Sequence, residues 1–263
     1  MSRIIRYQEG MSKFLKTKSF INDTSPNTKM ILEDLLNLSD HIPAILCLTI
    51  LNNQCKKNDL KIHGYYLASG IDVLMLIAKV CCCRDYFDEK YGQISIDNMI
   101  MEVSSNFYKC ITQNIDTLRL SKNGNIGSKL TQLCIEYAIK LLPQITQKQI
   151  IVSKEKMKKT DLFCLDIKNE SYQQYKKKNK LSRDVIFNDI KKRYGSVCKL
   201  AICLGWILGQ GDETNVNKIR DLSDEKTVAK LEVLSEHMGT FLKLYDDFRN
   251  IDRDMKIGQI SFN

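Results

Sequence analysis

Apolar residues recur at spacings of three and four along most of the chain, and the regular alternation of a half-buried strand is scarce. This pattern predicts an all-α fold. The first firm helix is expected from about Thr28 to Leu38. Ile42 to Asn52 is apolar nearly all round, which predicts a deeply buried helix with Pro43 in its first turn. His63 to Cys83 gives a third apolar helix, broken by the charged stretch RDYFDEK. Ser95 or Asp97 can cap a fourth, reaching about Leu118. Ser121 to Gly127 reads as a loop, and Gly127 to Leu142 as a helix stopped by Pro143. Gly195 to Gly209 is an almost wholly apolar helix. Acids between Asp221 and Glu225 suit the first turn of a last helix. No linker and no fixed repeat divides the chain. Residues 28–263 therefore read as one helical domain behind a mixed, polar segment 1–27, with a basic insertion at about 150–192.

The last helix carries the candidate chemistry. Leu231, Leu234, Met238, Phe241, Leu242, Tyr245 and Phe248 recur at three and four and are expected to share a buried face. Asp246 and Asp247 sit late on that helix between Tyr245 and Phe248. Adjacent carboxylates beside apolar residues are costly to desolvate. A divalent cation with a phosphate behind it is one reason to keep them. The plainer reading is a solvated face on which Arg249 and Arg253 pair with the acids.

Composition changes the picture in a few places. The formal charge of +9 makes anionic partners plausible: phosphate compounds, nucleic acid or an acidic protein. Much of it lies between Lys154 and Arg193, where Lys176, Lys177, Lys178 and Lys180 follow Tyr172 and Tyr175. Such a run can contact phosphate or carboxylate groups, or can be a solvated insertion. At 43% hydrophobic, the chain can build a sizeable core, and only 3 prolines and 12 glycines favour long helices. The 10 cysteines lie mostly in apolar runs, as at Cys47, Cys81, Cys134, Cys198 and Cys203. No CxxC pair occurs, so a zinc site has no spacing support. Cys81, Cys82 and Cys83 point about 100° apart on a helix and cannot converge on one metal. Buried thiols in a reducing compartment, the cytoplasm, are the expectation. No unbroken apolar run is long enough to predict a membrane span. The N-terminus lacks the apolar core and cleavage site of a signal peptide. His41, His63 and His237 have no acid and nucleophile at a recognisable spacing and read as surface or boundary residues. Trp206 reads as core or dimer interface.

Two helices and their separation carry a family resemblance. RYGSVCKLAICLGWILGQGDE, Arg193 to Glu213, resembles the KTGSLFELACLLGALLGGGDE-type helix and turn of the trans-isoprenyl diphosphate synthases, the polyprenyl synthetase family. HMGTFLKLYDDFRNID resembles that family's LGxAFQxxDDxxD helix. NLSDHIPAILCLTIL stands where the family has GGKRxRPxLxxLx, and MKKTDL, Met157 to Leu162, stands near its GQxxDL. The GWILG stretch is similar to the trans-prenyltransferases of large cytoplasmic DNA viruses, which would place the protein in a host cytoplasm. The resemblance implies an isoprenoid-synthase-like helical bundle, truncated here at the C-terminus. It also implies two facing aspartate motifs that hold magnesium around an allylic diphosphate, and basic side chains for a second diphosphate.

Residue by residue, the implied site is altered. Asp246 and Asp247 match the paired aspartates of the second motif, but Asn250 stands at the third and Lys243 replaces the preceding glutamine. At the first motif one placement has Arg84 in place of an aspartate with Asp85 and Asp88 kept, and a cation there opposes magnesium binding, while a stricter placement puts Cys82 and Cys83 at the motif. Ser39 and Ile42 replace the basic residues of GKRxRP. Arg193 keeps only the charge of the KT pair, and Lys158 replaces the glutamine of GQxxDL. The leading expectation is a catalytically degenerate member with no cofactor, acting as a homodimeric or heterodimeric partner subunit through its apolar helices. Asp246, Asp247, Asp85 and Asp88 would be vestigial metal ligands, and Arg193, Lys158 and Lys243 vestigial diphosphate ligands. The alternatives are a divergent magnesium-dependent prenyltransferase that uses these residues, and nucleic-acid or acidic-protein binding through the basic segment.

Overall fold

The computed structural model describes residues 2–37, 39–57, 63–119, 127–147, 183–209 and 225–257. Helix α1 spans Arg3–Thr17, and a short 3-10 turn follows at Phe20–Asp23. Then come α2 (Pro26–Leu36), α3 (Ile42–Lys57), α4 (Tyr65–Cys82), α5 (Arg84–Tyr91), α6 (Gln93–Arg119), α7 (Gly127–Thr146), α8 (Arg183–Leu208) and α9 (Glu225–Ile257). No strand occurs among the described residues, so the fold is all-α and forms one domain.

Helix α4 is the axis. Its sequence YYLASGIDVLMLIAKVCC has no polar side, and residues from Leu67 through Ala78 are buried without a break. Helices α3, α6, α7 and α8 surround it. By length and hydropathy α4 would pass for a membrane span, but 78% of it is buried inside the bundle. An apolar helix of this kind satisfies its backbone internally and buries every face against neighbours. The all-round apolar α3 is likewise buried through Ala44, Cys47, Leu48 and Leu51. The expected buried thiols are in the core at Cys47, Cys81, Cys134, Cys198 and Cys203.

Several boundaries differ from the sequence expectation, each for a local reason. The polar N-terminal segment forms α1, which packs on the core through Met11 and Leu15. Ser25 caps α2 by accepting from Thr28 N–H at 3.4 Å, with Pro26 in the first turn, so this helix starts two residues early. Glu102 accepts from Ser25 N–H at 2.6 Å and ties that cap to α6. RDYFDEK is not a break but helix α5, ended by Gly92 at φ +87°, a conformation that costs glycine little. Pro143 does not stop α7, which runs on to Thr146. Arg193 on α8 satisfies the carbonyls of Ile145 in the last turn of α7 and of Gln147 just beyond it.

The largest correction concerns α9. Of the seven residues expected on a buried face, only Leu242 is buried. Leu234, Phe241, Tyr245 and Phe248 are exposed, Phe248 by 79%. The face turned to α8 carries Ser235, Gly239, Leu242, Lys243 and Asp247 instead. Small residues decide this. A Cβ on Gly239 would lie 2.3 Å from Gly195 N and 2.5 Å from its Cα, so the two backbones meet where neither has a side chain.

Candidate functional site

The end of α4, the start of the buried part of α8 and the middle of α9 meet beside one cleft. Its walls include Ser39, His41, Met75, Lys79, Tyr194, Leu242, Tyr245 and Asp246. The volume open to the centres of water molecules is about 30 Å³, room for about two waters.

Asp246 lies on this wall. Lys79 Nζ on α4 donates to its Oδ1 at 2.7 Å, and both side chains are about one-fifth exposed. One residue on, Asp247 is buried and accepts from Lys243 one turn earlier on the same helix. Burial opposes the charge on Lys243, but Asp247 outweighs it and holds the ammonium pKa above its ordinary value. The two adjacent aspartates thus have separate cations, one from across the bundle and one from their own helix. The partners expected for them, Arg249 and Arg253, are not those observed. Arg249 donates to Asp40 in the turn before α3, and the side chain of Arg253 lies outside the described residues.

Arg193 does not face the cleft as a diphosphate ligand would. It is 1% exposed, and its Nη1 donates to the carbonyls of Ile145, at 2.8 Å, and Gln147. A guanidinium fits this place because the last carbonyls of a helix carry partial negative charge. Arg84, expected as a cation in place of a metal ligand, is buried and claims two acids. Nε donates to Asp88 Oδ1 and Nη2 to Asp97 Oδ1, each at 2.5 Å. Asp85 falls in α5 beside it. Lys158 and the basic stretch Lys176, Lys177, Lys178 and Lys180 lie outside the described residues, so the segment expected to bind an anionic partner has no structural account.

The structure also assembles a group that sequence reading missed. Asp72, fully buried on α4, accepts from His41 Nδ1 at 2.8 Å and from Ser39 Oγ at 3.1 Å. Ser12 Oγ on α1 lies 3.2 Å from His41 Nε2. Serine, histidine and aspartate are in the order of a nucleophile, base and orienting acid. Ser12, however, sits inside α1, where the neighbouring N–H groups are spent on the helix. No backbone donors are left there for an oxyanion, which such chemistry needs. The cluster instead clamps α1 and the turn before α3 onto α4, and it holds His41 at φ +57°. Burial lowers the tendency of His41 to ionise, and the hydrogen bond and charge of Asp72, with Asp40, outweigh it, so its pKa is raised. One signal was available in the sequence. Asp72 and Lys79 are the two charged residues in the apolar run of α4, and each had to find a partner in the interior.

Among the described residues no three acids, histidines or cysteines are grouped to hold a metal ion. Compared with known protein families, curated proteins and solved structures, the chain matches none.

Proposed function

We propose that the chain is a catalytically degenerate relative of the isoprenyl diphosphate synthases, a helical body that acts by holding a partner rather than by condensing diphosphates. One observation carries the reading. The carboxylates of Asp246 and Asp247 are each bonded to a lysine of the same chain. Magnesium at this pair would have to displace Lys79 or Lys243. A displaced Lys243 ammonium, otherwise 10% exposed, would be left buried without its partner. Breaking a buried pair in this way costs about 3–5 kcal/mol. Arg193, the cation expected to grip a diphosphate, is occupied with the end of α7.

The divergent-enzyme alternative draws on the same cleft. Lys79 and Asp246 are partly exposed on its wall, so an entering diphosphate could recruit Lys79 and release Asp246 to a metal. Calorimetry and thermal unfolding with geranyl or farnesyl diphosphate, with and without magnesium, separate the two. The scaffold reading expects no magnesium-dependent binding and no elongated product with isopentenyl diphosphate. Magnesium-dependent stabilisation that disappears in Asp246→Ala would overturn it in favour of the enzyme.

A further inference from the structure

Two opposite charges face the cleft as a pair. Lys79 Nζ lies 2.7 Å from Asp246 Oδ1, and the side chains are 24% and 20% exposed, so a molecule in the cleft can reach both. Met75, Leu76, Pro43 and Leu242 supply an apolar wall beside them. The other charges nearby are matched within the fold. Asp40, on the same wall, takes Arg249, and His41 takes Asp72. Asp247, next to Asp246, takes Lys243. A lone anion that drew Lys79 away would strand Asp246, and a lone cation that took Asp246 would strand Lys79. A ligand that brings one charge of each sign avoids both losses.

Spacing narrows the ligand further. Standard bond lengths and angles set the ammonium nitrogen of an α-amino acid about 2.7 Å from its nearer carboxylate oxygen. That matches the span of the Lys79–Asp246 pair. Two such dipoles can lie head to tail with neither pulled apart, each contact a charge-assisted hydrogen bond. We propose that this cleft binds a small α-amino acid, its ammonium on Asp246 and its carboxylate on Lys79, docked antiparallel on the standing ion pair. Room for about two waters sets the size. The two charged groups of the ligand replace those waters, and a side chain no larger than a methyl or two rests on Met75 and Leu242. A second observation marks the place. His41, on the same wall, is a non-glycine residue at φ +57°. Such a backbone persists only where its surroundings hold it, and such residues gather at ligand sites. Here Asp72 holds the ring, and Ser39 Oγ accepts from the His41 N–H at 3.1 Å. The inference rests on the reading of the chain as a body that does not take diphosphates, and it gives the cleft of that body an occupant.

Methyl NMR of the full chain titrated with L-alanine tests the site, read at Met75 and Leu242. Saturating shifts are expected at about millimolar concentration, the range open to so small a ligand. 4-Aminobutyrate, whose charges stand three methylenes apart, cannot match the pair and should bind about tenfold more weakly, as should acetate or methylammonium alone. Asp246→Asn and Lys79→Met should each weaken alanine about tenfold, while Lys79→Arg, which keeps the charge, should bind within about threefold of the parent. Both side chains reach solvent, so circular dichroism should not change in these variants. The ligand series on the parent protein decides the matter even if a variant unfolds. No saturable shift, 4-aminobutyrate or acetate binding as tightly as alanine, or binding indifferent to Asp246→Asn in the folded variant would each overturn the proposal. Geranyl diphosphate with magnesium, added in a parallel titration, reads the scaffold reading separately. Shifts from it overturn that reading whatever alanine does, and no shift from either ligand overturns only the amino-acid site.

Discussion

Replacing Gly239 by alanine tests the backbone-to-backbone approach of α8 and α9. The new Cβ would lie 2.3 Å from Gly195 N and 2.5 Å from both Gly195 Cα and Tyr194 C. All three are backbone atoms, so no side chain can swing away. An ordinary contact starts near 3.4 Å, so α8 and α9 must part by about 1 Å. A gap of that size forfeits a quarter to a half of the dispersion energy along the seam. Overpacking of this kind costs about 1–3 kcal/mol. Alanine returns up to about 1 kcal/mol in helix propensity, and the backbone origin of the clash puts the steric cost at or above the upper end. A net loss of about 2 kcal/mol is expected, or roughly 4–8 °C in Tm for a chain of this size. Gly195→Ala is the control. Its Cβ meets Glu236 Cα at 3.4 Å, an ordinary contact, so propensity should leave that variant neutral or slightly more stable. Thermal and urea unfolding followed by circular dichroism reads both. If Gly239→Ala is as stable as the parent, or Gly195→Ala falls as far, then the helices do not meet through their glycines.

Two further perturbations address the polar clusters. Lys243→Met should destabilise by about 3–5 kcal/mol, because it leaves Asp247 charged and buried, and adding Asp247→Leu should recover most of that loss in chemical denaturation. His41 has a raised folded pKa, so its contribution is complete below about pH 6.5, the unfolded value, and is lost as pH rises through the folded value. Urea unfolding between pH 6 and 8.5 should therefore show a fall in stability that His41→Gln removes, and an unchanged slope in the variant would refute the assignment.

Periodicity found the helices but not always their inner sides. The continuous apolar character of Leu67 to Ala78 made α4 a core helix whichever way it faced. On α9 the same kind of signal misled, because a stripe at three and four marks one side without saying which side meets the bundle. Gly239 and Ser235 decided it, and their weight appears only when Gly195 is known to lie opposite. The site divides in the same way. Arg84 could be read as a cation out of place, but its two acids on α5 and α6 could not be assigned. Lys79 and Asp246 are 167 residues apart, and only the packing of α8 against both α4 and α9 brings them together. Asp72 and His41 lie in different elements with no local pattern to join them. Arg193 was read as an anion ligand from its charge, while its burial and its place beside the last turn of α7 make it a cap.

The interior cations bear on what the proposed degeneration would do to the fold. Paired carboxylates that serve a metal repel each other when the metal is absent, and the protein bears that cost until the ion arrives. Here Lys243 stands one turn before Asp247, and Lys79 reaches Asp246 from across the bundle. Arg84 does the same for Asp88 and Asp97. Each acid can then stay ionised inside or at the edge of the bundle without an ion from solution. If these positions descend from a metal motif, as proposed, a lysine or arginine there does two things at once. It removes the vacancy that magnesium would fill, and it makes the metal unnecessary for stability. On the proposed reading, selection on the folded body alone would favour such exchanges. The outward apolar stripe of α9 gives that body a surface on which selection can still act.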